Sequence, residues 1–199
     1  MRLKRDFYER NTLTVAKELL GKTLVVLVDN VPVKSKIVET EAYIGPHDKA
    51  AHTYNNRRTM RTETMVLTGG HAYVYQIYGM YFCLNVTTSL KEKPEAVLIR
   101  AVEPIEHIEI LKKHRKIKIK RERDLTNGPG KLCQALKIDK RIDGVDFVTN
   151  DGYYIEDEKS SLEAIEIISA KRIGIDYAEE YKDKAWRFYI KDNVYVSKK

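Results

Sequence analysis

The sequence contains only two cysteines, Cys83 and Cys133, among 199 residues. That excludes a disulfide-stapled scaffold. Each lies in an apolar stretch, so both are expected to be buried free thiols of a reducing compartment. Histidines are also few: His47, His52, His71, His107 and His114 share no zinc-ligand spacing with the cysteines. Neither a metal nor a cofactor is therefore expected. No apolar run approaches the ~20 residues of a membrane helix, and the N-terminal MRLKRDFYER has no apolar core behind its basic start. Neither a membrane anchor nor a signal peptide is expected, and the predicted location is the cytoplasm. Repeats, low-complexity tracts and Pro/Gly/Ser-rich linkers are absent, which points to one domain over residues 1–199.

What is present describes a folded chain with a substantial core: 43% of residues are hydrophobic and 33% charged. Lysine and arginine number 36 against 29 acidic residues, a net charge of +7 with a pI near 9.2. A polyanion such as nucleic acid would suit that balance, and so would a merely basic protein.

TLTVAKELLG (12–21) reads as a helix, with Val15, Leu19 and Leu20 at helical spacing, Thr12 or Thr14 as cap and Gly21 as stop. TLVVLV and KSKIVETEAYIG read as strands joined by a turn at DNVP. Residues 45–70 are polar and turn-rich, which marks a functional loop. HAYVYQIYGMYFCLNVTT reads as a hairpin turning at Tyr78-Gly79, and AVLIRAVEP as the next strand. Residues 105–123 read as helical, NGPGKLCQAL as a turn feeding a short helix, and WRFYI and VYVS as closing strands. Strands outnumber helices and connections are short. The expected class is α+β, with a mainly antiparallel, curved sheet flanked by helices and a protruding hairpin.

Alternation along a strand puts Ile37, Glu39, Glu41 and Tyr43 on one face, with the two carboxylates roughly 7 Å apart at the backbone. An enclosed carboxylate beside an aromatic ring can act as a general base. Taken alone, an ordinary solvated strand face is the simpler reading. Tyr73, Tyr75, Tyr78 and Tyr81 fall within nine positions. Tyr73 and Tyr81 fit core or half-buried sites, whereas Tyr78 should project from the hairpin tip, where a ring can wedge between base pairs. Gly-Pro-Gly-Lys131 opens a helix and could meet a phosphate, although its spacing is not that of a Walker loop. The basic run 112–123 could meet DNA or simply be solvated. Arg100 ends an apolar strand and needs an anionic partner, and Asn85 inside a strand needs a hydrogen bond.

Together these segments resemble the alkyladenine (3-methyladenine) DNA glycosylase family, in its compact bacterial form. The match is carried by IVETEAYIGPHDKAAH, GGHAYVYQIYGMYFCLNV, VLIRAVEP, NGPGKLCQAL and KRIGIDYAEEYKDKAWRFYI. It runs from near residue 10 to the C-terminus.

The resemblance implies that Glu41 activates water, with Arg100 at that water. Tyr43, His52 and Tyr75 would sandwich a flipped base, Asn85 would line the pocket floor and reject the 2-amino group of guanine, and Tyr78 would intercalate. Met80 and Arg172 would lie on the DNA-facing surface, where Lys131 at its helix start could meet the DNA backbone. The implied partner is duplex DNA carrying damaged purines, the implied state a monomer, and the implied location the cytoplasm, on the nucleoid. The chain departs from the common pattern at His47, where an acid is usual, and at Val66, where phenylalanine is frequent. A non-catalytic nucleic-acid-binding module, or an RNA-acting domain, would share the tyrosine hairpin and the positive charge. Glu41 separates the enzyme from the binder, because a buried carboxylate near a polyanion serves no binder, and a panel of DNA and RNA duplexes separates it from the RNA-acting domain.

Overall fold

A computed structural model describes residues 1–115, 119–157 and 165–198. Helix α1 (Arg5–Tyr8) leads into α2 (Thr12–Glu18). The cap of α2 is Asn11, whose side chain accepts from the amides of Leu13 and Thr14 at 3.1 and 3.2 Å. The expected threonine cap is displaced by one position because Thr12 is itself buried in the first turn. The helix stops at Glu18, and Gly21, with φ +83°, then takes the left-handed turn into the sheet.

Strands β1 (Thr23–Val28) and β2 (Val31–Ile44) form a hairpin whose two loop residues, Asp29 and Asn30, have φ of 49° and 64°. That geometry suits the twist of paired strands. The turn is thus shorter than expected, and Val31 and Pro32 already pair with Val28 and Leu27. The remaining strands are β3 (Ala72–Ile77), β4 (Tyr81–Thr88), β5 (Glu95–Pro104), β6 (Tyr153–Glu156), β7 (Ile167–Ala170) and β8 (Arg187–Ile190). Among the described residues they form one eight-stranded sheet, β3-β4-β5-β2-β1-β6, in which β8 pairs with both β2 and β7. Every pairing is antiparallel, in agreement with the expected α+β class. Helices α2 and α4 (Pro129–Ala135) cover the sheet, and Val15, Leu19, Leu132, Leu136, Val97 and Ile99 belong to the main core.

Two expectations fail in the second half. Helix α3 spans only Ile108–His114, Arg115 is extended, and residues 122–125 form a separate 3₁₀ turn. After Leu111 the run KKHR supplies no apolar residue to hold a helix against the core. Residues 116–118 of the basic run lie outside the described residues. VYVS is not a strand either. It forms turns, with Tyr195 and Val196 buried and the Ser197 amide bound to a carboxylate of β2 instead of a ladder.

The most consequential irregularity is a double bulge. Ile37 pairs with Val102, Glu39 with Ala101 and Thr40 with Ile99, so Val38 on β2 and Arg100 on β5 are each left out of register. A bulge shifts the side-chain alternation. Ile37 therefore joins the main core with Ala42, while Val38 packs with Ala101 and Tyr195. The expectation that Ile37 shares the face of Glu39 and Glu41 is corrected accordingly. The same bulge turns Arg100 toward the two glutamates.

Candidate active site

Strand β2 lies inside the sheet. Glu39 and Glu41 face Ala101 and Leu98 of β5 along one edge and Tyr189 and Arg187 of β8 along the other. Both side chains are fully buried. An isolated buried carboxylate would be costly, so its partners decide its use. Glu39 is saturated by structural donors. Its Oε1 accepts from Arg187 Nη1 (2.8 Å), Arg100 Nε (3.2 Å) and Ser197 Oγ (2.9 Å), and its Oε2 accepts from the Ser197 amide at 2.7 Å. Glu41 has fewer partners. The Ile173 amide donates to Oε1 and the Tyr43 hydroxyl to Oε2, both at 2.8 Å, and Arg100 Nη1 stands 3.3 Å from Oε2. Arg100 thus bridges the two carboxylates.

In front of Glu41 opens a cavity of about 280 Å³. Its wall includes Tyr43, His52, Tyr73, Tyr75, Asn85 and Arg100. Glu41 itself sits one layer behind, touching the wall residues Tyr43 and Arg100. Burial, then the neighbouring Glu41 carboxylate, pushes the Tyr43 phenol well up, so it remains a hydrogen-bond donor. On the hairpin side, the His52 and Tyr75 rings meet edge-on at 4.6 Å, and Tyr73 and Tyr75 are tilted at 5.4 Å. His52 Nδ1 lies 2.8 Å from the Tyr73 hydroxyl. Burial, followed by Arg61 and Arg57, lowers the His52 pKa to about 4, so its imidazole is neutral at neutral pH. The Asn85 amide donates to the Tyr73 carbonyl at 3.0 Å, which fixes the orientation of its side chain.

The β3–β4 hairpin reaches the mouth of the cavity. Tyr78 and Gly79 adopt φ of 49° and 67°, and the Met80 amide closes the turn on the Ile77 carbonyl at 3.2 Å. Tyr78 is 86% exposed and lines the mouth, and Met80, 66% exposed, stands beside it. An aromatic ring and a methionine held in water at one tip form a surface built for contact. Lys131, in the first turn of α4, lines a neighbouring groove with Met80 and Tyr81, its Nζ donating to Asn127 at 2.7 Å.

A profile of the family described as methylpurine-DNA glycosylase matches residues 6–194. The chain belongs to the methylpurine-DNA glycosylase family. It is a DNA glycosylase, a hydrolase of N-glycosyl bonds that acts in DNA repair. It is 55% identical to a protein of Clostridium perfringens (strain SM101) over the full length of both chains, and 54% identical to one of Clostridium novyi over 100% and 99%. A protein of Natranaerobius thermophilus is 49% identical over 99% of each. All three carry the name "Putative 3-methyladenine DNA glycosylase".

Of the residues singled out in the sequence of this glycosylase, seven surround the cavity or its back wall: Glu41, Tyr43, His52, Tyr75, Tyr78, Asn85 and Arg100. Met80 and Lys131 line the neighbouring groove instead. Arg172 is in neither place. Its side chain is wholly buried against Asp48, so it offers nothing to a DNA backbone, and that expectation is corrected. Tyr81, expected to be core or half-buried, is 40% exposed and lines that same groove. Sequence reading missed the segment Ile173-Gly174-Ile175 and Tyr177, which also line the cavity. Tyr73 is expected to be core or half-buried. Tyr73 is buried but carries a wall, a possibility contained in its sharing a strand face with Tyr75. The segment at 173 belongs to the matching block KRIGIDYAEEYKDKAWRFYI, but only the tertiary fold brings it to Glu41.

Proposed function

We propose that this glycosylase flips alkylated or deaminated purines out of duplex DNA and hydrolyses their N-glycosidic bonds with Glu41 as base. 3-Methyladenine, 7-methylguanine, ethenoadenine and hypoxanthine define the substrate class. The observation that carries the reading is a buried carboxylate held behind an aromatic cavity whose mouth bears an exposed tyrosine. Tyr78 fills the gap left by the extruded nucleotide, which offsets a flipping cost of a few kcal/mol. The base stacks among Tyr43, Tyr75 and His52. Many alkylated purines are cationic, and phenol faces attract cations, whereas a neutral His52 does not repel them. Asn85 discriminates at the cavity floor. As the glycosidic bond lengthens, positive charge grows on the sugar. Glu41 stabilises it and takes a proton from the attacking water, with Arg100 orienting both.

The partners of Glu41 are Arg100, Tyr43 and Ile173, none of them a lysine, which favours a monofunctional enzyme that leaves an intact abasic site. Met80 and Lys131 serve the backbone contacts. The chain works as a monomer in the cytoplasm, on the nucleoid, in the first step of base excision repair. The test is release of free base from duplexes carrying each lesion, with RNA duplexes and borohydride treatment in parallel. Purine release without a trapped protein–DNA adduct is expected. A trapped adduct, or no release from any damaged duplex, would overturn the proposal.

A further inference from the structure

Arg172 is occupied in a way that bears directly on Glu41. Its guanidinium forms a two-pronged ion pair with Asp48, Nη1 to Oδ2 at 2.5 Å and Nη2 to Oδ1 at 2.8 Å, and both side chains are fully buried. Nη1 also donates to the Ala42 carbonyl (2.9 Å) and Nη2 to the Tyr181 carbonyl (3.3 Å). The guanidinium carbon lies 4.8 Å from the centre of the Tyr43 ring and 5.1 Å from that of Trp186. Both Nη groups are thus bonded, while the buried Nε has no partner among the described residues, and a planar cation pinned this way against two aromatic rings is a rigid clamp.

The clamp joins three segments that build the cavity. Tyr43 and Ala42 belong to β2. Asp48 organises the loop that leads to His52, accepting from the amides of Ile44 (3.2 Å) and Ala50 (3.0 Å). Arg172 itself precedes Ile173, whose amide donates to Glu41. Two of the three donors around Glu41 are thus set by this pair: Ile173 is its chain neighbour and Tyr43 stacks on it.

We propose that Arg172 and Asp48 are the positioning pair of the active site. They hold the Glu41 carboxylate and the Tyr43 ring in working geometry without touching DNA. The proposal rests on the reading of Glu41 as base. Catalytic geometry is steep, a misplacement near 1 Å costing on the order of 10²-fold in rate.

The test measures single-turnover excision and duplex affinity separately. Arg172→Met combined with Asp48→Asn removes both charges, so no unpaired buried ion remains. Excision is expected to slow by on the order of 10²-fold, while affinity for damaged and undamaged duplex stays near that of the parent. Arg172→Lys keeps the charge but loses the fork and the planar stack, and is expected to slow excision as well. Trp186, the single tryptophan of the chain, reports through its fluorescence on the packing around the guanidinium. If the double variant has no cooperative unfolding transition, Trp186→Phe loosens one side of the clamp with both charges in place. Slower excision at unchanged affinity is then the supporting result. Parental excision rates in the folded variants would overturn the proposal, as would an equal loss of affinity for undamaged duplex, which would make Arg172 a backbone contact. Glu41→Gln is run alongside. If it still excises, the assignment of the base is what fails. If it is inactive while the pair variants are not slowed, the positioning pair alone fails.

Discussion

Acidification should destabilise this enzyme through His52 in a predictable window. The folded pKa of His52 is about 4, against an ordinary 6.5, chiefly because burial disfavours the imidazolium and secondarily because Arg61 and Arg57 repel it. The unfolded chain therefore binds the proton first. The contribution of neutral His52 to stability is intact above 6.5 and is lost as pH falls from 6.5 toward about 4. The full shift corresponds to roughly 3 kcal/mol, of which about 2 kcal/mol disappears between pH 7 and pH 5. With a urea slope of ~1–3 kcal/mol per molar, the unfolding midpoint should move down by about 1 M. Other groups titrate too, so the measurement is a difference. Urea curves for the parent and His52→Gln are compared at both pH values, and the parent should lose about 2 kcal/mol more than the variant. Equal losses would refute the claim that His52 is held neutral. Its neutrality in a cavity meant for cationic purines would then lack support.

The ion pair behind Tyr43 makes an asymmetric stability prediction. Arg172→Met strands a buried Asp48 carboxylate and should cost ~3–5 kcal/mol, whereas adding Asp48→Asn should recover most of it, as read from thermal unfolding. Tyr78→Ala should leave the melting temperature unchanged, because the ring is exposed, and should weaken binding to damaged duplex by ~1–3 kcal/mol in a titration. Cys83 and Cys133 are buried free thiols whose pKa values burial pushes up, that of Cys83 to about 11. Native protein should therefore react with a thiol-specific disulfide reagent only as fast as it opens, and both thiols should titrate promptly in denaturant.

What could be read from the sequence depended on how local the cause is. Strand alternation pairs Glu41 with Tyr43, and a tyrosine before the Gly79 turn must project, so both features are visible within a few residues. The two-residue turn at Asp29-Asn30 also follows from local left-handed propensity, yet Pro32, a turn former, widens the expected turn to four residues and takes the strand former Val31 with it. The double bulge at Val38 and Arg100 belongs to two strands at once, so neither strand predicts that Ile37 will leave the face of Glu39. Arg172 is the clearest case. The family resemblance puts it on the DNA-facing surface, but Asp48, 124 residues earlier, claims its guanidinium. VYVS has the composition of a strand, but Glu39 takes the Ser197 amide and hydroxyl, so the segment ends on a side-chain contact instead of a ladder.

The central claim is that Glu41 performs the hydrolysis. Its most direct test is single-turnover excision by Glu41→Gln on duplex DNA carrying 1,N6-ethenoadenine or 7-methylguanine, with duplex affinity measured alongside. The amide keeps the shape of the side chain and cannot take a proton from water. Excision should fall by at least ~10²–10⁴-fold while affinity for the damaged duplex is retained. Excision at the parental rate would contradict the account.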